Sequence, residues 1–413
     1  MADARRLTPN LAAGALLLVL VAAVLLWQRP WGSSPSDGVV PIPDDAGQLL
    51  TDQFDALSAA EDEQDFVAAA GRGPRAREFA RGAWAARDAL DVEDVELRHL
   101  RGGDVPDRAD GSTVAEVAVS WRAAPDSVVA GTRVREATVA FRLDPQADGT
   151  FAVRSASALE EPVPLWLAGR IEVERAGDVR VVTVDGGVPD VDVVAVARTA
   201  RRQVEEVVPR VDGALTVVAP RTRASTANLV GSPHREIAGI AAITTTVDGG
   251  TDTARVVVLN PAQFSTMDER AAQVVITHEA THQLTAAPGS DAERWVVEGF
   301  ADFVALRDDD APLAVSAGQA LRSVREEGPP EALPTIDDFV RDGHRLGAVY
   351  ELAWLVFRML GERHDDAAVV GFYRDVMSGT SVEAALREAF DLDTARLTAQ
   401  WRDYLTKRAS TVS

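Results

Sequence analysis

Apolar positions first recur at helical spacing: within 48–89, Leu49, Leu50, Phe54 and Leu57 lie on one face, and the stretch is broken by Gly71 to Pro74. The period then changes to two. Thr113, Ala115, Val117, Val119 and Trp121 alternate with polar or small partners, as do Ala137, Val139, Phe141 and Leu143, and an Asp148–Gly149 turn leads into Phe151 and Val153 as a hairpin. After Pro162 and Pro164, strand patterns return at 170–174 and 179–185, with a helix over 191–208 and further strands at 215–218, 240–246 and 256–259. Beyond these the pattern is almost wholly helical. Sheet first and helices after is the order of an α+β chain, not of a doubly wound one.

One segment has no polar face at all. Residues 11–27, LAAGALLLVLVAAVLLW, follow Arg5 and Arg6 and reach about 25 Å as a helix, a little short of a ~30 Å hydrocarbon core. The expectation is an uncleaved transmembrane anchor with Trp27 and Trp31 at the interface, a cytoplasmic tail over 1–10 and the bulk of the chain extracytoplasmic at the cell membrane. A cleaved signal peptide is the alternative, opposed by the length of the run and by the lack of a small-x-small site after it. A Pro, Gly, Ser and Asp-rich linker at 28–47 then leads to an α+β accessory domain over 48–160 and a larger domain over 165–413. Helices followed by an antiparallel sheet make the accessory domain resemble the cystatin-like or nuclear-transport-factor-like folds, a likeness of pattern that assigns no residue a role.

Composition narrows the chemistry. The 413 residues are 46% hydrophobic and 26% charged, enough for two or three packed domains, and the formal charge of −22 opposes binding to nucleic-acid phosphate. There is no cysteine, which excludes disulfides, thiolate metal sites and a cysteine nucleophile. Any metal must rest on carboxylates and on the six histidines.

Two of those histidines stand in His278–Glu279–Ala280–Thr281–His282, an HExxH motif. Ser265 and Thr266, each followed three residues on by an acidic residue, are candidate caps for its helix, and Pro288–Gly289 is the stop. Four residues at about 100° each bring both imidazoles to one face a turn apart, so the two can share one ion, and Glu279 lies beside that face. Sixteen residues after His282 comes Glu298, within Trp295–Val296–Val297–Glu298–Gly299–Phe300–Ala301–Asp302–Phe303, with Ser290 and Glu293 as its capping box.

These two segments resemble the gluzincin zinc metallopeptidases of thermolysin-like type, and most of all their bacterial members with a second motif W-x-x-E-G-x-A. The resemblance implies a thermolysin-like zincin domain with a mixed sheet followed by helices. It also implies one zinc ion per chain held by His278, His282 and Glu298, with Glu279 as general base in hydrolysis of a peptide or protein substrate and Asp302 behind a histidine ligand. Two imidazoles and a carboxylate leave a fourth position for water, the arrangement of catalytic zinc sites. Family members often carry a tyrosine on a later helix, and Tyr350 matches it as an oxyanion donor or stands as a core tyrosine; His344 is a second candidate. An edge strand preceding the metal helix aligns substrate in such folds, and both 240–246 and 256–259 are candidates. Two other functions remain open: a catalytically silent surface protein acting as a binding or scaffolding module, and an accessory domain that captures the partner on which the larger domain acts.

Overall fold

The computed structural model describes residues 45–106, 110–124, 127–129, 133–188, 190–246, 254–287, 290–341 and 345–411. Three helices come first, α1 (Ala46–Ser58), α2 (Glu63–Ala69) and α3 (Pro74–Ala89). Their boundaries have local causes. Asp62 caps α2 by accepting from the Asp65 amide, and Pro74 opens α3, where its missing N–H leaves no bond unmade. Four strands follow, β1 (Val92–Pro106), β2 (Thr113–Ala123), β3 (Arg135–Pro145) and β4 (Phe151–Ala158), paired antiparallel in chain order. The alternation does not announce β1, because three register shifts along it break the period of two.

A second sheet is built from β5 (Ile171–Ala176), β6 (Val179–Val184), then α4 (Val193–Val207), β7 (Leu215–Pro220), α5 (Arg223–Val230), β8 (Ala242–Thr246) and β9 (Arg255–Leu259). Its strand order is β5-β6-β7-β9-β8, with β6, β7 and β9 parallel and the two edge strands antiparallel to their neighbours. Every residue of the central β7 is buried, whereas β8 is half-buried after Ala242. Of the two candidate edge strands, 240–246 is therefore at the edge and 256–259 is interior.

Helices complete the chain: α6 (Pro261–Phe264), α7 (Glu269–Leu284), α8 (Arg294–Ala305), α9 (Leu313–Ser316), α10 (Gly318–Glu327), α11 (Ile336–Arg341), α12 (Leu346–Gly361), α13 (Asp366–Met377), α14 (Val382–Phe390) and α15 (Thr394–Thr411). The described residues divide into two compact units, one formed by 199–212 and 267–411, the other by 45–198 together with 213–266. The unit up to Arg198 holds both sheets around one apolar cluster, from Leu50, Phe54, Trp121 and Phe141 to Trp166, Val182, Val218 and Val258. The other unit is helical. There α8 packs on α12 so closely that a Cβ on Gly299 would stand 2.6 Å from the Ala353 carbonyl oxygen, and Trp295 and Phe300 lie against Phe357 with ring centroids 5.9 and 5.7 Å away.

The single-pass architecture expected from the sequence is corrected here. Among the described residues no helix is long and apolar enough to cross a membrane. Helix α12 is apolar along much of its length but has 16 residues, about 24 Å against the ~30 Å a span requires, and α15 carries charges throughout. The run at 11–27 lies outside the described residues, and an apolar run is a requirement for a span and not a demonstration of one. The transmembrane helix, the cytoplasmic tail and the extracytoplasmic placement are accordingly withdrawn.

Two outcomes follow from the helical packing. Gly299→Ala pushes a methyl into the α12 backbone and is expected to lower unfolding stability by about 2 kcal/mol, read from chemical denaturation. Glu351, on α12, is buried and accepts the Ala320 amide at the start of α10 (2.7 Å). Burial pushes its carboxyl up to about 8, from an ordinary 4.5, despite that amide. Between those values the folded chain keeps a proton that the unfolded chain releases, so stability falls as pH rises from about 4.5 to about 8. Glu351→Gln is expected to flatten that slope in denaturation curves taken across the window.

Candidate metal centre

Helix α7 starts at its own cap: Asp268 accepts from the Ala271 amide (2.7 Å), in place of the Ser265 and Thr266 expected from the sequence. Pro288–Gly289, the expected stop, lies outside the described residues, and the helix ends at Leu284. At the start of α8 the Glu293 carboxylate accepts from the Trp295 indole N–H (2.7 Å) and makes no backbone cap. From Val275 to His282 every residue of α7 is buried, as is every residue of α8 from Trp295 to Ala305. An unbalanced charge on either helix would be expensive.

Despite that, the two helices turn ionisable groups toward each other. His278 and His282 leave α7 on one face, edge to face, with ring centroids 4.5 Å apart and their Nε2 atoms 2.9 Å apart. Glu298 reaches in from α8, its Oε2 lying 3.2 Å from each of the two Nε2 atoms. These three atoms can hold a metal ion. Behind them, His278 donates from Nδ1 to Asp302 Oδ1 (2.7 Å), which orients the ring and leaves the Nε2 lone pair facing the cluster. Glu279, His278, His282, Glu298 and Asp302 are between 0% and 4% exposed, so water cannot screen them from one another.

The residues present fit zinc. Two imidazole lone pairs and a carboxylate oxygen converging without a cation would repel, and their separations approach the roughly 3.3 Å edges of a tetrahedron with ~2.0–2.1 Å bonds. The electrostatics of the cluster point the same way. Burial opposes charge on His278, yet Asp302, Glu298 and Glu279 outweigh it and hold the imidazole well above its ordinary value. Burial would raise Glu298, but His282 and His278 hold it below the usual carboxylate range. Both shifts report a cluster that favours positive charge at its centre.

Tyr350, from α12, sets its ring 6.4 Å from that of His278 and edge-on to Phe339 at 5.2 Å. Burial raises its hydroxyl well above the ordinary value, so it keeps its proton at neutral pH and can donate a hydrogen bond. His344 lies outside the described residues. His99 stacks on Phe54 and His364 lies against Phe390, and neither belongs to the group of residues that could hold a metal. Reading the sequence did not single out Arg294, whose Nη1 is 3.2 Å from Glu298 Oε1, although its place four residues before Glu298 puts it on the same helix face. It also passed over Gln203, whose Oε1 accepts from the Thr277 hydroxyl (2.7 Å) one residue ahead of the first histidine. A contact across 74 residues has no local signature.

No protein-family model matches the chain, and no curated protein is similar to it in sequence. Among solved structures it is similar to an M1 zinc metallopeptidase from Deinococcus radiodurans, a mutant bound to a Tyr-Ser-Ala substrate, at 12% identity and a TM-score of 0.36 over 70% of this chain and 89% of that one. It is likewise similar to a two-domain M1 zinc metallopeptidase mutant bound to L-tryptophan, at 12% identity and a TM-score of 0.37 over 78% of this chain and 97% of that one. The thermolysin-like fold expected from the sequence is corrected to that extent: the neighbours are M1 peptidases. The motif likeness covers two helices, and two helices do not specify the sheet and helices around them.

Asp302→Ala removes the acceptor that orients His278 and is expected to weaken zinc binding by about tenfold or more, measured by competition with a chromophoric chelator.

Proposed function

We propose that this chain is a zinc-dependent metallopeptidase, a hydrolase of peptide bonds. The observation that carries the reading is the triangle of His278 Nε2, His282 Nε2 and Glu298 Oε2, with edges of 2.9, 3.2 and 3.2 Å and a buried carboxylate, Glu279, next in sequence to the first ligand. A zinc ion held there supplies Lewis-acid polarisation of a carbonyl and lowers the pKa of water to about 7.

The chain's own groups do the rest. Glu279 lies one residue, about 100° of helix, from His278, beside the ligand face and not on it, which suits proton transfer better than ligation. As general base it takes the proton of the attacking water, and as general acid it returns that proton to the leaving amine nitrogen. Asp302 keeps His278 in one tautomer through the cycle. Tyr350, protonated and beside His278, donates to the oxyanion that forms as the carbonyl carbon becomes tetrahedral. Asp302 and Tyr350 thus act respectively as a positioning group and an electrostatic one. The substrate is a peptide, and the domain over 48–160 is accessory to the chemistry.

The test separates metal from base. Wild-type protein is expected to hold one zinc per chain and to cleave peptides, whereas Glu279→Gln is expected to retain the zinc while its kcat falls by at least about a hundredfold. His282→Ala is expected to lose the metal. A folded, zinc-loaded wild type inert across a broad peptide library would overturn the reading.

A further inference from the structure

Arg294 occupies the first position of α8, one turn ahead of Glu298, and its guanidinium touches the oxygen of that carboxylate that does not face the histidines. Oε2 is 3.2 Å from each imidazole nitrogen, and Oε1 is 3.2 Å from Arg294 Nη1. The two oxygens of one carboxylate are therefore divided between two cations, the arginine on one side and the ion that the cluster would hold on the other. Arg294 Nε is buried without a hydrogen-bond partner. A fold bears that cost where something else holds the group in place, and the contact with Glu298 is the visible candidate.

We propose that Arg294 is a positioning residue that restricts Glu298 to one-oxygen ligation and, by its charge, limits how tightly the centre holds its metal. The inference rests on the metal-centre reading given above. Three buried carboxylates, Glu279, Glu298 and Asp302, together with the guanidinium paired to Glu298, carry a formal charge of −2 when the imidazoles are neutral, so a divalent cation would bring the set to neutrality. Without Arg294 the loaded cluster retains an excess negative charge, and Oε1 is released to become a second donor. Both effects tighten metal binding. A purely structural role for Arg294 predicts the opposite, since loosening α8 would separate the ligands and weaken binding.

The test is zinc affinity by chelator competition on the full chain, together with the visible spectrum of the cobalt-substituted protein. Arg294→Met is expected to bind zinc about tenfold more tightly, a modest factor because the guanidinium removed is itself 32% exposed and its charge is screened from the buried ion. Its cobalt absorption is expected to weaken, as it does when coordination rises from four towards five. Arg294→Lys keeps the charge and is expected to stay within about threefold of wild type in affinity. Unchanged or weaker zinc binding in a folded Arg294→Met protein, or an unchanged cobalt spectrum, would overturn this proposal alone. Absence of zinc binding by the wild type would overturn the metal-centre reading and this proposal with it.

Discussion

Everything about the helical unit answers to the need to balance charge where water is excluded. Two imidazoles and three carboxylates lie on helices buried over most of their circumference, at exposures of no more than 4%. An isolated carboxylate in such a place would protonate sooner than stay charged, as Glu351 does beside the same helices when burial moves its carboxyl to about 8. Glu298 goes the other way because two imidazoles meet its Oε2 and outweigh its burial. That contrast between two buried glutamates separates a carboxyl used for structure from one arranged to meet positive charge.

Local sequence and packing reach that arrangement by different means. Spacing by four on α7 sets the two histidines on one face, and spacing by four on α8 aligns Arg294, Glu298 and Asp302. Bringing the two faces together is a matter of packing. Gly299 removes the side chain that would hold α12 away from α8, and the rings of Trp295, Phe300 and Phe357 fill the space around that approach. Phe300 also stacks on Tyr373 at 3.8 Å, whose hydroxyl bonds that of Thr285 just past the end of α7 (2.7 Å). The first histidine's helix and the glutamate's helix are thus tied through α13 as well as through the cluster itself. Such bracing suits a centre whose function depends on ligand separations of about 3 Å.

Legibility from sequence followed the range of the interactions. The strands β2 to β9 and the helices around the two motifs coincide with their hydrophobic periods to within a few residues, because burial of one face or both imposes the period directly. Strand β1 escaped, since its bulges move side chains between faces without a compositional mark. Caps were misplaced by a few residues at α7 because several acidic and hydroxyl side chains compete there and only backbone geometry selects Asp268. The apolar run at 11–27 shows the converse: composition meets one requirement of a membrane span without establishing the span.

By itself the sequence determined the identity and local spacing of the groups at the centre: two histidines one turn apart, a glutamate beside them, and a glutamate and an aspartate one turn apart on a second helix. Periodicity within a helix needs no partner to be expressed, so these facts are visible in one dimension. The tertiary structure alone decided that Nε2 and not Nδ1 of each histidine faces the cluster, that Asp302 bonds His278, and that Arg294 takes the far oxygen of Glu298. It also decided that 240–246 is the edge strand and that Tyr350 lies beside the first histidine. Each of these depends on how one element is rotated and translated against another, and that is set by close packing of side chains far apart in the chain.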